Sequence, residues 1–210
     1  IEVIPNPVEI DHYNFRQRKF VSPRLVWLRA FHEIYNPSMA PRVIYELKEQ
    51  YPDIVLYMVG PDKGDGSLEH MLEVAEELSV REKIILKGFI PRDHVADMLN
   101  DCDIFINTTN IDNTPISVIE AMACGLCVVS TNVGGIQYIV ENGIDGLLTP
   151  PNDPVGMAVS IKRILNNPML AYKLSQNGRK KAQEFSWDLI FPLWKSLIRE
   201  SIEIYDKTDR

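Results

Sequence analysis

Short apolar, β-branched runs alternate along the chain with longer stretches whose apolar positions recur at helical spacing. The runs Leu25–Leu28, Ile54–Val59, Ile84–Leu86, Ile104–Asn107, Cys127–Ser130 and, more weakly, Gly146–Leu148 predict strands. IVLYMV and CVVS are continuously apolar rather than alternating, as befits strands covered on both faces. Between them lie helix-length segments at Ser38–Gln50, Ser67–Leu78, Arg92–Asn100, Ile116–Ala123, Ile136–Glu141 and Pro154–Leu165. In the first of these, Met39, Val43, Ile44 and Leu47 share one side of a helix. Asp153 before Pro154 reads as an N-cap with proline at the first helical position. Gly125 ends the helix that precedes CVVS. Six strand–helix repeats predict an α/β fold: a doubly wound, mostly parallel six-stranded sheet with helices on both faces.

Three regions follow from this pattern. Residues 1–22, with Pro-Asn-Pro and an acidic–basic mixture, read as an incoming linker rather than a core element. Residues 23–184 carry the strand–helix repeats. Residues 185–210 predict a terminal helix rich in Trp187, Phe191, Trp194, Leu197 and Ile198. So apolar a helix needs a surface to cover it, either the sheet or a further domain. Left partly uncovered, it predicts weak self-association. The chain begins at Ile1 rather than Met, and the expectation is a piece of something longer.

Composition narrows the function. With 210 residues, 45% of them hydrophobic, the chain can bury one sizeable core. It contains no uncharged apolar window long enough to span a bilayer, and its first residues lack a signal-peptide pattern. A net charge of −7 argues against a nucleic-acid partner, which requires a basic footprint. Arg179, Lys180 and Lys181 read as an ordinary solvated helix face. Cys102, Cys124 and Cys127 have no second ligand pair at zinc spacing and read as reduced, buried, cytosolic thiols.

In such a sheet, ligands bind beyond the carboxyl ends of the strands. The segments there are Arg29–Pro37, Gly60–Ser67, Gly88–Arg92, Thr108–Pro115, Thr131–Gly135 and Thr149–Asp153, all rich in turn-forming residues. The sharpest feature is Asn110-Ile-Asp-Asn-Thr-Pro-Ile-Ser-Val-Ile-Glu120. A strand ends, a polar loop follows, and a helix opens at Ile116, where free backbone N–H groups suit a phosphate. Ser117 adds a hydroxyl. Asp112 before the helix and Glu120 one turn into it bracket the anion position, as a ribose–diphosphate–hexose ligand requires. Two plainer readings stand beside this one. Asp112-Asn-Thr-Pro is also a good turn whose carboxylate satisfies backbone donors, and Glu120 is also a helix residue free to face solvent.

The chain resembles the C-terminal domain of the family-4 retaining glycosyltransferases, which have the GT-B fold. The resemblance rests on the entry V-I-P-N-P-V from Val3, on V-G ending at Gly60, on L-K-G-F-I from Leu86 and on D-C-D-I-F-I from Asp101. Its longest part is S-V-I-E-A-M-A-C-G-L-C-V-V-S-T-N-V-G-G-I from Ser117, followed by V-E-N-G-I-D-G-L-L-T-P-P-N-D-P from Val140 and by Phe185-Ser186-Trp187. The resemblance implies that Glu120 holds the ribose hydroxyls and Asp112 the donor-sugar hydroxyls. It places Thr114, Pro115, Ile116 and Ser117 at the diphosphate, although Pro115 has no N–H to give. Gly88, Phe89 and Ile90 would line the base pocket, and Arg29 would neutralise the leaving diphosphate. No cofactor and no metal are implied. The partners implied are an N-terminal acceptor-binding domain, a nucleotide-sugar donor and a saccharide or lipid-linked acceptor. The implied setting is cytoplasmic, at the inner face of a membrane during cell-surface glycan assembly.

Three departures qualify the match. Asp112 stands where the family has glutamate. The G-R-x(4)-K motif is incomplete, with Leu28 for the glycine and no lysine within Ala30–Asn36; His32 is a possible substitute, or simply a polar loop residue. The acceptor domain that carries the family's catalytic histidine is not in this sequence, so no catalytic residue is assigned here. The expected function is the donor-binding half of a transferase moving a hexose from a UDP- or GDP-type sugar, without turnover by this half alone. A binding module that has lost transfer, and a sugar-nucleotide epimerase of the same fold, are the alternatives.

Overall fold

A computed structural model describes residues 4–208; Val3 of the entry motif lies outside them. The strands are β1 Arg24–Leu28, β2 Val55–Val59, β3 Ile84–Gly88, β4 Ile104–Asn107, β5 Cys127–Thr131 and β6 Leu147–Thr149. They form one sheet in the order β3-β2-β1-β4-β5-β6, with every pairing parallel rather than most of them. All of β4 and β5 is buried, which explains their unbroken apolar runs. Alternate residues serve opposite faces: Leu25 and Trp27 enter one apolar layer, Val26 the other.

The helices are α1 Met39–Leu47, α2 Ser67–Glu77, α3 Val95–Asn100, α4 Ile116–Cys124, α5 Ile136–Ile139, α6 Pro154–Leu165, α7 Pro168–Gln183 and α8 Trp187–Thr208. The α6 helix has the bounds its cap signals gave, and the Asp153 carboxylate accepts from Gly156 N–H. The α4 helix stops at Gly125, whose φ of +80° and contact with Arg16 O leave no room for a side chain. The expected helix at Arg92 is shorter, because Arg92–His94 forms a 3-10 turn before α3.

Two sequence expectations need correction. Within residues 1–22, read as an incoming linker rather than a core element, Val8, Ile10, Tyr13 and Arg18 are buried and contribute to the core. Val8, Ile10 and Tyr13 are buried in the layer that holds α4, and Val8 N–H donates to Phe185 O at 2.8 Å. The Arg18 side chain is fully buried, donating to Cys102 O at 2.9 Å, to Arg16 O at 2.6 Å and to Cys124 O, with Asp103 beside it at 3.6 Å. Nor is Arg179 a solvated charge: it donates to Tyr13 O at 3.0 Å and Ala123 O at 2.8 Å. Lys180 keeps the expected exposed character, while Lys181 is half-buried and pairs with Glu184 at 2.7 Å. The three cysteines are buried and unpaired, and burial pushes each thiol up to about 12. In α8, Ile190 is buried while Trp187, Leu189, Phe191, Leu193 and Trp194 are exposed.

Asp103 anchors the N-terminal segment, accepting from Arg16 at 2.7 Å and from Ser22 N–H and Oγ–H at 2.8 and 2.6 Å. Burial alone would raise its pKa; the bonds from Ser22 and Arg16 outweigh that and lower it. Such a group stabilises the fold above the unfolded carboxylate value of about 3.9, and that contribution is lost as pH falls through the lower folded value. Asp103→Asn leaves Arg18 without its counter-charge and is expected to cost about 3 kcal/mol at neutral pH. It should also flatten the acid side of the stability profile. Urea denaturation of both proteins between neutral pH and pH 3 checks both effects.

Candidate functional site

The order of the sheet reverses between β1 and β4, and the crevice at their carboxyl ends is the place where such folds accept ligands. The loop after β4 is fastened to the loop after β1. Thr108 Oγ1 accepts from Trp27 Nε1 at 2.9 Å and donates to Tyr35 O at 2.9 Å, while Asn110 N–H donates to Ile34 O at 2.8 Å. From the β5 side, Gly135 N–H donates to Asp112 O at 2.9 Å. A side chain at Gly135 would fall 1.9 Å from Asn113 O, so only glycine permits this approach.

Arg29 leaves the end of β1 with its guanidinium 4.6 Å from the centre of the Tyr35 ring and forms an ion pair with Asp112. Both side chains are largely buried, at 16% and 11% exposure. Burial lowers the Arg29 pKa, opposed by the nearby Tyr35 and Glu120. The Asp112 carboxylate therefore engages a side chain and not the backbone of its own turn, which removes the plainer reading of that loop.

The α4 helix opens behind Pro115 with no side-chain cap. Val118 N–H returns to Pro115 O, leaving Ile116 and Ser117 with first-turn N–H groups that have no helical acceptor. Ser117 Oγ is buried and has no hydrogen-bond partner among the described residues. An uncapped helix start beside a buried guanidinium and an unsatisfied hydroxyl is suited to an anion. Ser117→Ala removes an orphaned polar group, so it is expected to leave the ligand-free fold as stable or slightly more stable. If the site holds a diphosphate, the same change weakens binding about threefold to tenfold. Thermal unfolding with and without nucleotide separates the two effects.

Glu120, one turn further, is 8% exposed and does not face solvent. It accepts from the Tyr13 hydroxyl at 2.5 Å. Burial raises its pKa, opposed by that hydrogen bond and by Arg92 and Arg29.

Arg29 thus pairs with Asp112 and lies near enough to Glu120 for their charges to interact, while Ile116, Ser117 and Glu120 share α4. Gly88 and Phe89 stand exposed at the end of β3 on the same edge of the sheet, Phe89 at 73%, while Ile90 packs against the layer below. Thr114 lines a neighbouring groove of about 650 Å³ with Asn113, Gly135, Tyr138, Ile139 and Phe185. His32 Nδ1 accepts from Ile34 N–H at 3.2 Å and lies 3.7 Å from Asp65, so this nitrogen is engaged within its own loop region. Tyr35, Tyr13 and Arg92 were not anticipated.

Residues 22–181 match the family model described as glycosyl transferases group 1. The chain belongs to this family. A relative from Methanocaldococcus jannaschii, the uncharacterized glycosyltransferase MJ1178, is 33% identical over 128 residues, covering 60% of this chain and 36% of its own length. Among solved structures, sucrose-phosphate synthase from Thermosynechococcus elongatus superposes with a TM-score of 0.85 at 23% identity, over 97% of this chain and 53% of that one. Anabaena HepE in complex with UDP and glucose superposes with a TM-score of 0.83 at 19% identity, over 95% of this chain and 57% of its own. At these identities the superpositions establish the shared fold. This group 1 chain spans little more than a third of that relative and about half of each structure.

Proposed function

We propose that this chain is the donor-binding half of a retaining glycosyltransferase. The crevice between β1 and β4 takes a nucleoside diphosphate sugar of UDP or GDP type. Glu120 receives the ribose hydroxyls, Asp112 the hydroxyls of the hexose, and Arg29 with the Ile116 and Ser117 amides the diphosphate. Gly88, Phe89 and Ile90 border the base, and Thr114 the sugar end of the loop. The observation that carries this reading is the convergence of a buried arginine, an uncapped helix start and two carboxylates at the sheet's switch point.

As the bond between the anomeric carbon of the hexose and the diphosphate oxygen breaks, negative charge collects on the departing diphosphate. Arg29 and the α4 amides, fixed beforehand in a crevice shielded from water, stabilise that charge more in the transition state than in the bound donor. No metal or cofactor is invoked in this step. The acceptor hydroxyl, presented by a second half of the whole protein, attacks from the face the diphosphate leaves. The whole protein would then work on saccharide or lipid-linked acceptors at the cytoplasmic face of a membrane. Among the described residues no helix is long and apolar enough to cross one.

A rival reading, a nucleotide-sugar binding module without turnover, draws on the absent lysine and on the engagement of Arg29 by Asp112. Calorimetric titration of this chain with UDP, GDP, ADP and their glucose and mannose conjugates tests the shared part. Saturable binding of one nucleotide supports a donor site, and no binding of any contradicts it. Incubation of the whole protein with the donor so identified and candidate acceptors, read by proton NMR, tests the rest. A product with the donor's anomeric configuration supports retention; inversion, or binding without transfer to any acceptor, overturns it.

A further inference from the structure

Glu120 is the carboxylate on which the donor reading places the ribose, yet it already has a partner. Tyr13 and Glu120 are 107 residues apart in sequence, and the phenolic O–H donates to Glu120 Oε1 at 2.5 Å in a buried contact. We propose that Tyr13 is a positioning residue of the donor site, holding the Glu120 carboxylate in place so that nucleotide affinity depends on the docking of residues 8–18. This rests on the donor reading of the crevice and adds to it a contribution from the N-terminal segment.

The first argument is the need of the carboxylate. Glu120 sits on a helix buried along almost its whole length, where an unpaired carboxylate is costly. Among the described residues the Tyr13 hydroxyl is its hydrogen-bond donor, through one oxygen only, and Oε2 remains uncommitted. The charged and titratable groups around it are Arg92 from the loop after β3, Arg29 from the loop after β1, and Cys124 on its own helix. None of these replaces the bond that fixes the carboxylate.

The second argument is that Tyr13 cannot easily step aside. Its side chain is 4% exposed, packed with Val8, Ile10 and residues of α4. Its carbonyl is held by Arg179 Nη1 at 3.0 Å, and the same nitrogen donates to Ala123 O on α4 at 2.8 Å. One guanidinium thus ties the backbone of Tyr13 to the helix that carries Glu120. A placeholder that a ligand displaces would have to move; a ring so buried and a backbone so fastened stay where they are. A groove of about 300 Å³ lies against Tyr13 itself, lined also by Arg92, Glu9, His12, Asp93 and Ala96.

The test is a double-mutant cycle on UDP and GDP binding, with wild type, Tyr13→Phe, Glu120→Ala and the double variant. Tyr13→Phe keeps the buried ring and is expected to fold, with affinity for the accepted nucleotide about tenfold lower, as for loss of one bond to a charged group. In the Glu120→Ala background the same exchange is expected to change nothing. Affinity unchanged or raised in Tyr13→Phe overturns the proposal, and so does an equal loss in both backgrounds, which would mark a purely structural role. Carboxyl-carbon NMR of Glu120 without nucleotide keeps this result separate from that of the donor reading. The carboxylate is expected to titrate at higher pH in Tyr13→Phe than in wild type. If wild type binds no nucleotide the donor reading fails, and with it the dependence proposed here; the NMR shift alone would still report the pair. If wild type binds and Tyr13→Phe matches it, only the present proposal falls.

Discussion

Replacing Arg29 with alanine is expected to lower kcat of the whole transferase by about 100- to 1,000-fold, the range for removing one pre-positioned stabiliser of transition-state charge. The residue is hard to substitute because its loop carries no other arginine or lysine between Ala30 and Asn36. Its planar group lies on the Tyr35 ring, and Arg29→Lys would lose both the stacking and the forked donor geometry, so little rescue is expected from lysine. The same truncation strands Asp112, largely buried, without its partner, at an expected cost of about 3 kcal/mol in fold stability. Arg29→Ala with Asp112→Asn should therefore recover much of the stability and none of the activity. Chemical denaturation of the three proteins together with steady-state transfer rates checks this. Activity returning with stability would mean that Arg29 serves the fold alone.

Glu120→Ala carries the second large effect. Loss of a charged acceptor for a ribose hydroxyl is expected to weaken nucleotide binding about 10- to 100-fold. The base, by contrast, keeps its contacts, so discrimination among bases should persist. The raised pKa of Glu120 adds a pH signature whose sign is fixed. The carboxylate form, the better acceptor, is lost on acidification at a higher pH than for a free glutamate, so affinity should fall below that point. Glu120→Gln, similar in size and always neutral, should abolish this fall while binding less well at neutral pH. Titration calorimetry across pH 4.5 to 8 measures both. Equal affinities in wild type and Glu120→Ala would remove Glu120 from the ribose.

The parts of the fold that were legible in the sequence share one property: their signals are local. Asp153-Pro154 and Gly125 mark helix ends through their own backbone chemistry, and the continuous apolar runs of β4 and β5 record burial on both faces. Only the end of α7, at Arg179–Lys181, is legible as a helix face in the sequence, because its buried side is made of Ala171, Leu174, Ser175, Gly178 and Ala182, too small and polar to give an apolar period. Its Gly178 lies close enough to α4 that an added side chain would meet Met122. The N-terminal segment was misjudged because its charges are answered far along the chain, Arg16 and Arg18 by Asp103 and by the carbonyls of Cys102 and Cys124.

The site divides in the same way. The loop–helix sequence from Asn110 to Glu120 predicts a helix opening at Ile116, and the structure has that start, with no side-chain cap among the described residues. Which way Glu120 faces was open, although apart from Ser117 and Glu120 the residues of Ile116–Cys124 are apolar and such a helix is buried along almost its whole length. The pairing of Arg29 with Asp112 and of Tyr13 with Glu120 depends on three-dimensional neighbours, and no spacing in the sequence records it.

If the opening turn of α4 and Arg29, at the switch point, hold the diphosphate of a nucleotide sugar as proposed, ligand binding must perturb both. Backbone amide NMR of the isotope-labelled chain, titrated with UDP-glucose and GDP-mannose, reads this out. Saturable shifts are expected for one of the two, largest at the Ile116 and Ser117 amides and at Arg29 Nε–H. Saturable shifts confined to other surfaces, or none with either donor, would contradict the proposal.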